Sequence, residues 1–208
     1  MFKNLFVSEF ISRKSAGGKI AYIGAFTALS VIAQAFVEFK LFIDVQFSLT
    51  IFVSMLCGIV LGGGLGFVAA FLGDLLGWLI NSGGMYMFWV GLSTAVVALI
   101  AGAIFSFVKR GGAAFPYLKL AVSCLATFLI CTVLINSLGF YLYNRAMGFS
   151  KAVMAYVDDN FGGNVSFFAY LAYRLIFKGQ ILNNVFNYAL LFAILPGFLR
   201  SFLKDAFR

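Results

Sequence analysis

The chain has 208 residues, of which 63% are hydrophobic and 11% charged, with a formal net charge of +8. Soluble domains run about 45–50% apolar and about 25% charged, so this composition excludes an ordinary soluble globule and points to a lipid-embedded chain. Zero histidines excludes an imidazole base or a histidine metal ligand, and the positive balance reads as Lys and Arg gathered on the cytoplasmic side, with no nucleic-acid partner implied.

In chain order, residues 1–19 set Phe2, Leu5, Phe6, Phe10 and Ile11 near helical spacing, with Lys3, Glu9, Arg13 and Lys14 between them. That pattern predicts an amphipathic helix lying at the cytoplasmic interface. Residues 20–208 read as one unit, a six-helix transmembrane bundle. The fold class expected is therefore an all-α integral membrane protein with an N-terminal amphipathic helix. Span one covers residues 20–37, or ~27 Å at ~1.5 Å per residue. Ala33-Gln34-Ala35 near its end resembles a signal-peptidase site, but a long basic leader and five further spans argue against cleavage.

Span two is residues 47–61, closed by Gly62-Gly63-Gly64-Leu65-Gly66. Span three is residues 67–80 and ends at Asn81-Ser82-Gly83-Gly84. Span four is residues 85–108, stopped by Lys109-Arg110-Gly111-Gly112, and span five is residues 120–143. The connection 144–166 carries Arg145, Lys151, Asp158 and Asp159, with room for a short surface helix near residues 151–157. The apolar region 167–198 is too long for one straight crossing. It divides into an interfacial entry holding Tyr173 and Arg174 and a last span from about residue 178 to 195, ended by Pro196-Gly197. Cys57, Cys124 and Cys131 lie inside apolar runs without Cys-x-x-Cys spacing and read as small buried hydrophobes.

Six spans with both termini cytoplasmic put Lys3, Arg13, Lys14, Lys19, Lys109, Arg110, Lys119, Arg200, Lys204 and Arg208 inside. Lys40, Arg145, Lys151, Arg174 and Lys178 then lie outside. That bias obeys the positive-inside rule. In this frame the polar side chains converge on the outer end. Gln34 closes span one, and Asp44 and Gln46 precede span two. Trp78 and Asn81 cap span three, and Tyr86, Trp89 and Ser93 open span four. Asn136, Tyr141 and Tyr143 end span five, while Arg174, Lys178, Gln180, Asn183 and Asn184 begin span six. Asp74 and Asn187 sit nearer mid-depth. Channels and alternating-access carriers carry polar groups through the full depth or at the midplane, whereas a cup needs them only at its mouth.

Ionisable groups in a membrane are costly and usually functional. The candidate substrate-binding residues are Asp44, Trp78, Asn81, Tyr86, Trp89, Asn136, Arg174, Lys178 and Asn184. Arg174 and Lys178 suit a carboxylate or other anion, Trp78, Tyr86 and Trp89 suit a flat ring, and Asn81, Asn136 and Asn184 suit oriented hydrogen bonds. Plainer readings stand beside these: aromatic-belt rings, a headgroup-anchored arginine, a structural ion pair for Asp74, and asparagines that tie helices together. Ala21, Gly24, Ala25 and Ala28 make a small-residue stripe on span one, suited either to internal packing or to docking another membrane subunit.

These residues resemble the substrate-binding S component of an energy-coupling factor (ECF) vitamin transporter, most of all its folate-type branch, near the riboflavin and pantothenate types. The resemblance is carried by Ala21-x-x-x-Ala25, by Phe42-Ile43-Asp44-Val45-Gln46-Phe47-Ser48 and by the Gly62–Gly66 hinge. Gly73-Asp74-Leu75-Leu76-Gly77, Asn136-Ser137 and Arg174-Leu175-Ile176-Phe177-Lys178 complete it. Gly63 stands where the family hinge usually has proline, the Met87–Gly91 segment lacks the proline common before span four, and Gln34-Ala35 occupies a place where folate-type members tend to carry arginine. The resemblance implies a bacterial plasma-membrane subunit that binds a small water-soluble vitamin in an outward cavity. It also implies docking through the span-one stripe on a transmembrane coupling subunit driven by two ABC-type ATPases. No catalytic residue, metal or cofactor of its own is expected, since ATP is used by the partners and the chain has no Gly-x-x-x-x-Gly-Lys-Ser/Thr loop. The alternatives are a small ion-coupled carrier or channel, favoured if Asp74 faces a continuous pore, and an intramembrane enzyme built on Asp74 and Lys178.

Overall fold

In lipid each backbone N–H and C=O needs a partner within the chain, and helices meet that need without help from neighbours. The computed structural model describes residues 3–40, 46–81, 84–107 and 115–202 and is almost wholly helical. Asp44, Ser82, Gly83, Lys109, Arg110, Lys204 and Arg208 lie outside the described residues.

Two short helices, α1 (Lys3–Phe6) and α2 (Glu9–Ser12), precede α3 (Ala16–Ala35). The strands β1 (Glu38–Lys40) and β2 (Gln46–Ser48) pair antiparallel, Phe39 opposite Phe47. Then follow α4 (Thr50–Leu61), α5 (Gly63–Ile80), α6 (Phe88–Phe107) and α7 (Phe115–Thr127). A π-helical stretch, Phe128–Leu138, carries α7 without a break into α8 (Gly139–Met147). A surface helix α9 (Lys151–Phe161), the short α10 (Phe167–Ala172) with a π-helical turn Tyr173–Phe177, and α11 (Gln180–Phe202) complete the chain.

Among the described residues five helical segments are long and apolar enough to cross a membrane: Ala16–Ala35, Gly63–Ile80, Phe88–Ser106, Pro116–Met147 and Gln180–Leu199. The sequence reading differs from the structure in four places. The leader is two short helices instead of one, because Ser8 leaves the helical path to cap α2 and to bond the end of α4. Phe47 and Ser48 are extended strand, so the second apolar helix begins at Thr50 and has only 12 residues. The glycines after Gly62 are not a loop but the first turn of α5. Helix α11 also runs through Pro196 to Phe202. Its buried face, Leu191, Leu195 and Leu199, continues across the proline and holds it helical, as proline is tolerated where lipid offers no other backbone partner.

Glycine sets the close contacts at the end of the bundle bearing the leader. Gly62 turns the chain between α4 and α5 at φ +98, a left-handed conformation that L side chains avoid. A Cβ there would also run into the backbone of Ser8. A Cβ on Gly58 would collide with the Ala98 carbonyl, one on Gly102 with Gly63, and one on Gly66 would stand 2.7 Å from the Cα of Gly58. Helices α4, α5 and α6 therefore meet backbone to backbone, the small-residue mode of membrane helix packing. Beside them, Met55, Ile59, Val97, Ala101, Phe105, Leu120, Leu191 and Leu195 form the main apolar core.

Candidate functional site

A cavity of about 710 Å³ lies at the opposite end of the bundle. It is framed by the end of β2 (Ser48), the start of α4 (Thr50, Ile51), the first half of α6 (Val90, Ser93, Thr94, Val97) and the π-helical wall (Cys131, Thr132, Asn136). Phe140, the α10 turn (Tyr170, Tyr173, Arg174, Lys178), the first turn of α11 (Gln180, Asn183, Asn184) and Gln34 from the end of α3 close it. Val97 and Cys131 belong both to this lining and to the main apolar core, so the cavity bottoms on greasy packing.

Local backbone chemistry explains why these side chains converge. The wall Phe128–Leu138 is π-helical, a widened geometry that often marks functional sites. Ser137 Oγ donates to the carbonyl of Thr132, five residues back, at 2.7 Å. Ser93 Oγ donates to the Cys131 carbonyl at 3.2 Å, and Arg174 Nη1 to the Asn136 carbonyl at 3.2 Å. Opposite, Gly179 at φ +67 breaks the chain between the turn Tyr173–Phe177 and α11, which starts a new helix inside the cavity wall. Its first residues, Gln180, Asn183 and Asn184, thus face the lumen.

Helix α4 starts at Leu49, an N-cap whose side chain cannot accept a hydrogen bond. Helix α11 supplies the missing acceptors. Asn183 Oδ1 takes the N–H of Ser48 at 3.0 Å and Asn187 Oδ1 that of Phe52 at 2.9 Å. Asn187 Nδ2 donates to the Ser48 carbonyl at 2.8 Å, and Phe47 packs edge-to-face on Phe186 at 5.6 Å.

Of the candidate residues, Asn136, Arg174, Lys178 and Asn184 come together around this cavity. Asn184 accepts from Thr132 Oγ1 at 3.2 Å and donates to the Gln180 carbonyl at 2.7 Å. Arg174 is 8% exposed, with its guanidinium carbon 4.2 Å from the centre of the Phe140 ring. The structure places Trp78, Asn81, Tyr86 and Trp89 elsewhere. Trp78 donates to the Gly84 carbonyl at 3.1 Å and packs on Tyr86 at 5.3 Å. Asn81 ties the end of α5 to the Ala35 carbonyl at 2.9 Å. Trp89 packs against Phe140 and Tyr143. Asp44 lies outside the described residues.

Asp74 is buried between α5 and α6 and is not part of the cavity lining. Its Oδ2 accepts from the Tyr86 hydroxyl at 3.1 Å, while its Oδ1 has no partner. Tyr86 sits in the connection outside the spans. Burial and the adjacent carboxylate hold its phenol above the ordinary value, which keeps it a donor. Gln34, Ser48, Gln180 and Asn183 also line the cavity, while the hydroxyls of Thr50, Thr94, Thr132 and Tyr170 share its wall without having been singled out by sequence.

The stripe on α3 is a separate surface. Ala21, Gly24, Ala25 and Ala28 are all exposed, and a Cβ added at Gly24 would meet nothing within 4 Å. Cys57, Cys124 and Cys131 are buried thiols.

A family model described as ECF-type riboflavin transporter, S component, matches residues 15–195 of the chain. Comparison with curated proteins finds no match.

Proposed function

Because the chain belongs to the family of ECF-type riboflavin transporter S components, and is thus a vitamin-transport subunit and not an enzyme, we propose that it captures a small water-soluble vitamin in the cavity between α4, α6, the π-helical wall and α11. The observation that carries this reading is the cavity itself. It has a vitamin-sized volume of about 710 Å³, polar side chains around its wall and apolar core beneath it. Ligand sites commonly combine such a volume with a few convergent polar groups. Asn136, Arg174, Lys178 and Asn184 are its binding residues in this proposal.

The cavity opens to the outside and both termini are cytoplasmic, an orientation supported by the bias of Lys and Arg toward the leader end. The 12 residues of α4 cover only ~18 Å. The extended residues of β2 add roughly 10 Å, so together they serve as the sixth crossing of a bacterial plasma membrane. The ligand is folate-like, or of the riboflavin or pantothenate kind. Delivery inward follows docking, through Ala21, Gly24, Ala25 and Ala28, on an ECF transmembrane coupling subunit with its two ABC-type ATPases. The burial of Asp74 away from the lining argues against a continuous ion path through that carboxylate.

The test is direct. The full chain is purified in detergent, and its small-molecule content is extracted and identified by mass spectrometry. One vitamin-sized compound at near-equal molar ratio is expected. Extracts that stay empty after expression in vitamin-rich medium, together with no thermal stabilisation by any vitamin added back, refute the assignment.

A further inference from the structure

Arg174 poses an electrostatic problem that the described residues do not solve. Its side chain is more than nine-tenths buried and lines the cavity. Among the described residues its partners are the Asn136 carbonyl and the Phe140 ring, both neutral, with the neutral Tyr170 phenol beside it. Among the described residues no carboxylate pairs with it, and none of the residues lining the cavity is acidic. Burying a cation in a membrane without a counter-charge is strongly unfavourable.

The surrounding groups are arranged as a receptor. The Tyr170 oxygen accepts from Asn144 Nδ2 at 3.0 Å, and among the described residues its own proton has no acceptor. Asn136 Oδ1 and Gln180 Oε1 are buried acceptors without partners, and buried polar atoms in native structures are normally satisfied. The corner thus offers a fixed guanidinium and a phenolic donor, with two unfilled acceptors in the same lining.

We infer that the cavity takes an organic anion whose carboxylate or phosphate seats on Arg174 and Tyr170, and that the same molecule carries hydroxyl or amide donors for Asn136 and Gln180. The ligand then supplies the counter-charge that the described residues lack, and a neutral flavin is disfavoured. This rests on the reading of the chain as a vitamin-binding subunit and narrows the class of vitamin.

The experiment compares the purified full chain with its Arg174→Gln and Arg174→Lys variants by thermal unfolding, first free of ligand and then with riboflavin, riboflavin 5′-phosphate or pantothenate. Free of ligand, Arg174→Gln should melt no lower than the wild type, since an uncompensated charge has been removed. With an anionic probe, its affinity should fall roughly tenfold or more, the size expected for a lost charged hydrogen bond, with Arg174→Lys in between. Neutral riboflavin stabilising wild type and Arg174→Gln equally, and better than either anion, overturns the inference. So does a ligand-free Arg174→Gln protein that melts well below wild type, since the guanidinium would then be a structural tie. If none of the probes binds and no compound is extracted, the vitamin reading itself is lost, while the ligand-free comparison still decides the role of Arg174.

Discussion

Asn187 Oδ1 receives the backbone N–H of Phe52 at 2.9 Å, so a side chain from the last helix caps the start of α4 from 135 positions away. Asn187 is fully buried, and its amide nitrogen also binds the Ser48 carbonyl at 2.8 Å. Leu49 has no side-chain oxygen to take over. Asn187→Leu leaves the Phe52 N–H and the Ser48 C=O without those partners, at a cost of about 1–3 kcal/mol for buried polar groups. The expected outcome is a clearly lower melting temperature in detergent. Ligand affinity should weaken with it, because Ser48, Thr50 and Asn183 of the same joint line the cavity. An unchanged melting curve would mean that α4 finds its cap elsewhere.

A second pair, Asp74 and Tyr86, fixes the connection between α5 and α6. The Tyr86 hydroxyl donates to Asp74 Oδ2 at 3.1 Å, and Gly91 leaves the space that this hydroxyl fills. Tyr86→Phe strips the carboxylate of that donor and should destabilise by about 1–3 kcal/mol. Adding Asp74→Asn to Tyr86→Phe should recover part of the loss, since a buried amide without that donor costs less than a buried carboxylate. Equilibrium unfolding of the four proteins in a double-mutant cycle measures the coupling. Strict additivity would show that the two residues act independently.

The sequence made some of this visible and hid the rest for identifiable reasons. Long apolar runs revealed the membrane bundle, and costly residues such as Arg174, Lys178, Asn136 and Asn184 announced themselves because lipid tolerates them poorly. Thr50, Thr94 and Thr132 gave no such signal, since a hydroxyl in a transmembrane helix can bond its own backbone and pass as neutral. Thr94 does so, donating to the Gly91 carbonyl at 2.8 Å. Trp78 and Tyr86 were drawn toward the site by their depth and their flat rings, yet neither property specifies which face of a helix they occupy. The π-helical wall has no composition signal that separates it from an α-helix, so the inward aim of Asn136 appeared only in three dimensions.

The leader is clamped to the α4–α5 turn. Ser8 donates its hydroxyl to the Val60 carbonyl at 2.5 Å and its N–H to the Leu61 carbonyl at 2.9 Å. Ile11 is fully buried beside Leu61 and Ala69, and Phe10 packs edge-to-face on Tyr22 at 5.2 Å. Ser8→Ala removes the hydroxyl bond and one cap of α2, for about 1 kcal/mol. Ile11→Ala empties a packed site and should cost about 2–5 kcal/mol. Thermal unfolding should therefore rank Ile11→Ala below Ser8→Ala and both below wild type. Ligand affinity in the folded fraction should stay unchanged, because neither residue lines the cavity. A leader that merely rested on the membrane surface would leave both melting temperatures where they were.

Glycines on two faces of the bundle give opposite expectations, and the contrast tests the docking surface. A Cβ at Gly58 would strike the Ala98 carbonyl, so Gly58→Ala forces α4 and α6 apart and should lower stability by about 1–3 kcal/mol, the usual penalty for overpacking. Gly24 has open space where a side chain would go, and Ala21 and Ala25 beside it are exposed. Leucine at those positions should leave the isolated chain within about 0.5 kcal/mol of wild type, as for surface substitutions away from packed features. It would nonetheless fill the groove that another helix needs for close approach. The informative protein is the double variant Ala21→Leu, Ala25→Leu, read in three assays. Its melting temperature and vitamin binding should match wild type, while co-purification with the coupling subunit and its ATPases should fail. If the double variant assembles as wild type does, the complex forms through a different face and the stripe on α3 simply meets lipid.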